Sequence, residues 1–258
     1  MSRHTAREIG GCEELRARCG GDALCLWAAQ GLDGRSRAWS SDDGRAVVVA
    51  GADLLARARA VVWGAPDAAV PLLRQVMAGA GPACRPLGDR SLIEAVVREI
   101  PGLTASGPFG WMDRHGPPDD GLPDDGGAED GGAGWLPAGA LGEVGRLVRT
   151  SFPDSYAKPG VPGVERWAGV RDSAGRLAAV GAFAWCAPTV GFLSGVAVHP
   201  AARRRGFGRQ VGGFLVAEAL KAHGSVALMV DDWNDAARGL YEGLGLRYRP
   251  LGAASVRG

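Results

Sequence analysis

Apolar positions along the chain alternate between a helical and an extended period, and the switches mark out its elements. Up to about residue 34, Leu15, Leu24, Leu26 and Trp27 anchor a helical region. Short strands follow at 37–40, 46–50 and 60–63, the first two joined by a turn at Asp42-Asp-Gly-Arg45. Val70, Leu73, Val76 and Met77 share one face of a helix predicted over 68–80. Leu92, Val96 and Ile100 mark another helix, which Pro101 stops. Residues 108–112 read as a closing strand. The expected content of this part is β-β-β-α-α-β, an α/β or α+β domain.

The alternation resumes at Trp135. Residues 141–148 predict a helix, and 152–163 a loop interrupted by proline and glycine. Strands are expected at 166–171 and 177–186, joined by the turn Asp172-Ser-Ala-Gly175. Residues 190–198 carry little polar content, so they predict a central strand buried on both faces. A helix over 206–222 packs through Val211, Phe214 and Leu215, with Gly224 suited to its C-terminal stop. A strand at 226–230, a helix at 235–243 and a strand at 246–251 complete the order. Between the two patterned parts, 113–134 has almost no large apolar side chain and cannot offset its ordering entropy. The expected organisation is a domain at 1–112, an acidic Gly/Pro-rich linker at 113–134 and a domain at 135–258.

At 258 residues and 46% hydrophobic, the chain has ample material for two modest cores. The formal net charge of +1 argues against a strongly nucleic-acid-binding surface. The acidic linker leaves the C-terminal part net basic, which suits an anionic cofactor. Five cysteines form no C-x-x-C pair, so free thiols and no metal site are expected. The N-terminus shows no apolar leader and no run spans a bilayer, so the expectation is a cytoplasmic protein without a membrane partner.

The chemistry concentrates in Val196-Ala-Val-His-Pro-Ala-Ala-Arg-Arg-Arg-Gly-Phe-Gly-Arg-Gln-Val211. A β-branched strand runs into a basic glycine loop and then a helix N-terminus. Such a turn presents backbone N–H groups and the positive end of a helix dipole to an anion. Arginines add charge-assisted donors matched to phosphate oxygens. The reading is a pyrophosphate cradle, yet it is neither a P-loop nor a G-x-G-x-x-G turn.

Arg203-x-x-Gly206-x-Gly208 resembles the acetyl-CoA loop of the GNAT N-acyltransferase superfamily. Asn234-Asp-Ala-Ala-Arg-Gly-Leu-Tyr241-Glu-Gly-Leu-Gly245 resembles that superfamily's later motif, with Leu246 where Phe is usual. The resemblance covers about half the chain, from residue 135 onward. It implies a GNAT fold there, with 1–112 left open as an α/β domain or a degenerate GNAT-like half. It implies an enzyme that transfers an acyl group, most simply acetyl, from acyl-CoA to an amine by direct attack in a ternary complex. The backbone of Val196, Ala197 and Val198 would meet the pantetheine and acyl oxygen, and Arg203, Arg204, Arg205, Gly206, Phe207 and Gly208 the pyrophosphate. Asn234 would bond on the cofactor side and Tyr241 would return a proton to the leaving thiolate.

Other roles stay open for these residues. Asn234 also suits an N-cap, and Tyr241 a core position. They stand seven residues apart, close to two helical turns. The strand before the loop has no carboxylate, so the general base is Asp231 or water. His199 reads as part of a structural turn. The loop at 152–163 is the expected acceptor side, with a plain surface loop as the alternative, and Trp233 is the tryptophan expected to line the cleft. The expected acceptor is a small-molecule amine, and the protein a monomer or homodimer. Two rivals remain: acyl transfer from aminoacyl-tRNA, and a non-catalytic protein that responds to CoA.

Overall fold

The computed structural model describes residues 6–80, 84–117 and 132–256. The chain forms two compact units that are discontinuous in sequence. The first comprises Met1–Trp111, Met229–Asn234 and Tyr248–Gly258, the second Met112–Leu228 and Asp235–Arg247.

The first unit opens with β1 (Arg7–Glu8), α1 (Cys12–Arg18) and α2 (Ala23–Ala29). Asp22 caps α2 by accepting the Cys25 N–H at 3.0 Å. An antiparallel meander follows, made of β2 (Ser36–Ser40), β3 (Ala46–Gly51) and β4 (Arg59–Gly64). The crossover helix α3 (Pro66–Ala80) brings β5 (Arg85–Asp89) parallel to β4. Helix α4 (Arg90–Glu99) and β6 (Leu103–Ala105) come next. Val48, Val62, Leu73, Ile93 and Val96 meet in the core between sheet and helices.

Strand β5 was not expected from its sequence, Arg-Pro-Leu-Gly-Asp, which carries a strand-breaking proline and glycine. The content between β4 and β6 is therefore α-β-α rather than α-α. Gly88 is required by close approach, because a Cβ there would lie 2.5 Å from the Val62 carbonyl oxygen.

Strand β7 (Phe109–His115) leads into the second unit, which contains β8 (Gly134–Trp135), α5 (Leu141–Ser151), β9 (Val164–Arg171), β10 (Leu177–Ala184) and β11 (Gly191–Val198). Helix α6 (Phe207–His223) crosses to β12 (Ser225–Asp231), and α7 (Asp235–Glu242) follows. Strands β8 to β11 are antiparallel neighbours, and β12 is parallel to β11. Each unit thus repeats one order: three antiparallel strands, a crossover helix, a parallel strand and a further helix. Every residue of β10 is buried, as a middle strand covered on both faces requires.

The last strand, β13 (Arg247–Val256), pairs antiparallel with β5 and β6, so Tyr248–Gly258 belongs with the first unit. The linker expected at 113–134 begins in β7 and ends in β8, and its residues 118–131 lie outside the described residues. Among the described residues, no helix is long and apolar enough to cross a membrane.

Candidate functional site

Strand β11 is irregular where its motif begins. Val180 pairs with Ala197 and Ala182 with Ser194, so Gly181 alone faces Gly195 and Val196. This is a β-bulge on β11, with Gly195 in the left-handed region at φ +64°. A side chain at Gly195 would meet Trp167 Cη2 at 2.8 Å and Ala157 Cβ at 3.1 Å. Both the backbone conformation and the packing therefore demand glycine here.

The ladder from β11 to β12 ends at Leu193 opposite Leu228. Beyond that point, among the described residues, residues 194–198 keep β10 as their strand partner. The expected burial on both faces is corrected accordingly: Ser194, Val196 and Val198 are only half-buried. Bulge and ended ladder together free backbone polar groups around Val196, Ala197 and Val198. Such groups must find a ligand or water.

The chain then turns through His199, whose Nδ1 accepts the Ala201 N–H at 3.2 Å, as a structural turn should. Arg203, Arg204 and Arg205 are exposed, and among the described residues no carboxylate pairs with them. Arg204 holds φ +60°, a conformation that costs a non-glycine residue roughly 1 kcal/mol or more. The Arg205 guanidinium lies 5.2 Å from the Phe207 ring centroid.

Gly206 precedes α6 at φ +84°, with open space where a side chain would stand. Gly208 has another reason to be glycine: its Cβ would lie 3.2 Å from Val198 and 3.3 Å from Leu240. Close packing of α6 is therefore a second demand for glycine here, beside the ligand approach expected from the sequence. The loop therefore combines three exposed arginines with the N-terminal end of a 17-residue helix.

Helix α7 lies against the start of α6. At Gly212 a Cβ would fall 3.2 Å from Leu240 and 3.7 Å from the Tyr241 ring. This places Tyr241 about a turn along α6 from the loop. The side chain is buried, and burial holds its hydroxyl well above the ordinary tyrosine range. Tyr241 is thus a protonated donor at any working pH. Among the described residues nothing hydrogen-bonds that hydroxyl.

Residues 149–246 match the model of the acetyltransferase (GNAT) family. This segment is a GNAT-family domain. Solved structures share the fold at low identity. A GCN5-related N-acetyltransferase from Kribbella flavida is 18% identical at TM-score 0.56, over 83% of this chain and 87% of that one. One from Sphaerobacter thermophilus is 16% identical at TM-score 0.55, over 98% and 95%. A GNAT-family protein from Novosphingobium aromaticivorans is 23% identical at TM-score 0.52, over 77% and 84%. A comparison with curated proteins returns no match.

The counterpart strand in the first unit lacks both the bulge and the arginine loop. Strand β4 pairs with β3 in unbroken register from Arg59 to Gly64, so it has no bulge. Its ladder to β5 runs from Arg59 to Val62. Only Ala65 separates β4 from α3, which leaves no loop for arginines and glycines. Repeated topology does not carry the cradle with it.

The remaining expected residues, Asp231 and Asn234, lie in the turn assigned to the first unit. Asp231 is exposed, and its carbonyl accepts the Asn234 N–H at 3.0 Å. Its neighbour Asp232 accepts from Arg90 at 2.7 Å and from the Tyr248 hydroxyl. In the expected acceptor loop, Ser155 and Ala157 are buried while Phe152 and Tyr156 are exposed. The loop is therefore seated on the bulge through Ala157.

Proposed function

We propose that the chain is an acyl-CoA-dependent N-acyltransferase, most simply an acetyltransferase, with the cofactor held by the second unit. The observation that carries this reading is the bulged β11 leading into a loop of three exposed arginines that, among the described residues, no carboxylate neutralises. Acyl-CoA supplies the activated acyl group when bound. Arg203, Arg204 and Arg205 bind its pyrophosphate, together with the N–H groups at the start of α6. The freed backbone at Val196–Val198 orients the pantetheine and donates to the acyl oxygen, whose charge grows in the transition state. Tyr241 donates its proton to the departing sulfur, and its high pKa keeps that proton in place beforehand. Asn234 bonds on the cofactor side. Asp231, or water, accepts the proton from an incoming small-molecule amine.

Calorimetry with acetyl-CoA, followed by thiol-release assays across a panel of amines, tests this. Micromolar or tighter binding that falls at least tenfold when the three arginines become glutamine is expected. Each lost charge-assisted bond is worth about 1.5 kcal/mol or more. Absence of acetyl-CoA binding by the wild-type chain overturns the reading.

A further inference from the structure

Within the first unit, the turn between α1 and α2 folds two thiols against each other. Cys19 closes α1, where its N–H donates to the Leu15 carbonyl at 2.9 Å, and Cys25 stands in the first turn of α2. Both side chains are buried, Cys25 completely. The Cys25 S–H donates to the Cys19 sulfur. Both cysteines are free thiols.

Their surroundings give the two sulfurs different roles. The bond from Cys25 favours a Cys19 thiolate, and the N–H groups of Asp22 and Gly21 add to it, so the Cys19 thiol is held below its ordinary range. Donating that bond, together with complete burial, holds the Cys25 thiol well above it. The Asp22 carboxylate, whose charge opposes a thiolate, is itself engaged. It accepts the Cys25 N–H at 3.0 Å and Arg249 Nη1 at 2.6 Å. Gly20 and Gly21 border Cys19 at φ +60° and +77°, with open space where their side chains would stand. The turn therefore screens Cys19 thinly. It also has the freedom to bring two sulfurs from contact to a bond of about 2.05 Å.

We propose that Cys19 and Cys25 form a dithiol modification site that a hydroperoxide converts into a reversible disulfide. The Cys19 thiolate attacks a peroxide oxygen. An S–O bond forms, the O–O bond breaks, and the leaving oxygen takes up the proton that Cys19 had released, giving water or an alcohol. The Cys25 sulfur then attacks the Cys19 sulfenic acid. The S–S bond forms, the S–O bond breaks, and hydroxide departs with the Cys25 proton as water. Two electrons pass from the dithiol to the peroxide, and an external thiol returns them by exchange. Cys84 and Cys186 are the internal controls, because burial raises both thiols and keeps them unreactive.

The full-length protein, treated with hydrogen peroxide, unfolded and blocked with N-ethylmaleimide, tests this by peptide mass mapping. Trypsin releases both cysteines in one peptide, residues 19–35. That peptide should be recovered without maleimide and lighter by about 2 Da than the dithiol form. Dithiothreitol should restore both thiols, while Cys84 and Cys186 stay reduced throughout. In Cys25→Ala no second thiol resolves the sulfenic acid, so dimedone should capture at least tenfold more Cys19 than in the wild type. Recovery of both thiols in the reduced form once the exposed Cys12 is oxidised overturns the proposal. So does Cys19 driven to sulfinic acid beside a reduced Cys25, or a bridge from either thiol to Cys12. A folded Cys25→Ala that gives no dimedone adduct overturns the order of attack. The wild-type map decides the question even where a variant does not fold.

Discussion

Gly195→Ala puts the bulge under direct strain. The substituted residue must keep φ near +64° or abandon the bulge. Holding an L-residue in the left-handed region costs about 1–2 kcal/mol. The new methyl would also stand 2.8 Å from Trp167 Cη2 and 3.1 Å from Ala157 Cβ, and both neighbours are buried. Overpacking of this kind costs about 1–3 kcal/mol. The sum is about 2–5 kcal/mol, which at roughly 2–4 °C per kcal/mol for a chain of this size lowers Tm by roughly 5–20 °C.

Thermal unfolding followed by circular dichroism reads the shift, and calorimetry reads acetyl-CoA binding. If the bulge flattens instead, the cost in Tm is smaller but affinity falls at least tenfold, because the freed N–H groups return to the ladder. The Trp167→Leu background separates the two contributions. There the steric part is relieved and Gly195→Ala should cost only the backbone part, about 1–2 kcal/mol. If Gly195→Ala changes neither Tm nor affinity, or costs the same in both backgrounds, the packing argument is refuted.

Tyr241→Phe should lower kcat about a hundredfold or more while the KM for acyl-CoA and Tm change little, because the ring stays and the hydroxyl acts only in the transition state. A folded variant with wild-type turnover makes Tyr241 a packing residue. Gly206→Val should fold with reduced stability, since φ +84° rather than space is the obstacle, and should weaken acetyl-CoA binding at least tenfold in calorimetry. At pH 8, iodoacetamide should label the exposed Cys12 and spare Cys186 in peptide mass mapping. Burial and the nearby Glu165 push the Cys186 thiol up to about 12, so almost none of it is thiolate at that pH.

The elements that were legible in the sequence are those whose apolar period is strong and local. Helices α3, α6 and α7 and strands β3, β10 and β11 follow from spacing alone, since each side chain's face is fixed by its own helix or strand geometry. The arginine–glycine loop was equally legible, because strand, loop and helix N-terminus are contiguous. Strand β5 was not, because Pro86 and Gly88 erase its pattern and its place comes from the neighbour Val62. Gly195 was not legible either, because what demands it is Trp167, a residue on another strand.

By itself, then, the sequence determined the element order of the second unit, the charge and glycine content of the arginine–glycine loop and the place of Tyr241 on α7. These depend on residues close in the chain, where periodicity and dihedral preference act directly. Tertiary structure alone decided that β13 joins the first unit by pairing with β5 and β6. It also decided that Gly208 packs closely on Val198 and Leu240, and that Arg90 reaches Asp232 across 142 positions. Contacts of that range depend on how strands stack and where loops close. No local pattern encodes them, because the partners carry no mark of one another until the chain is folded.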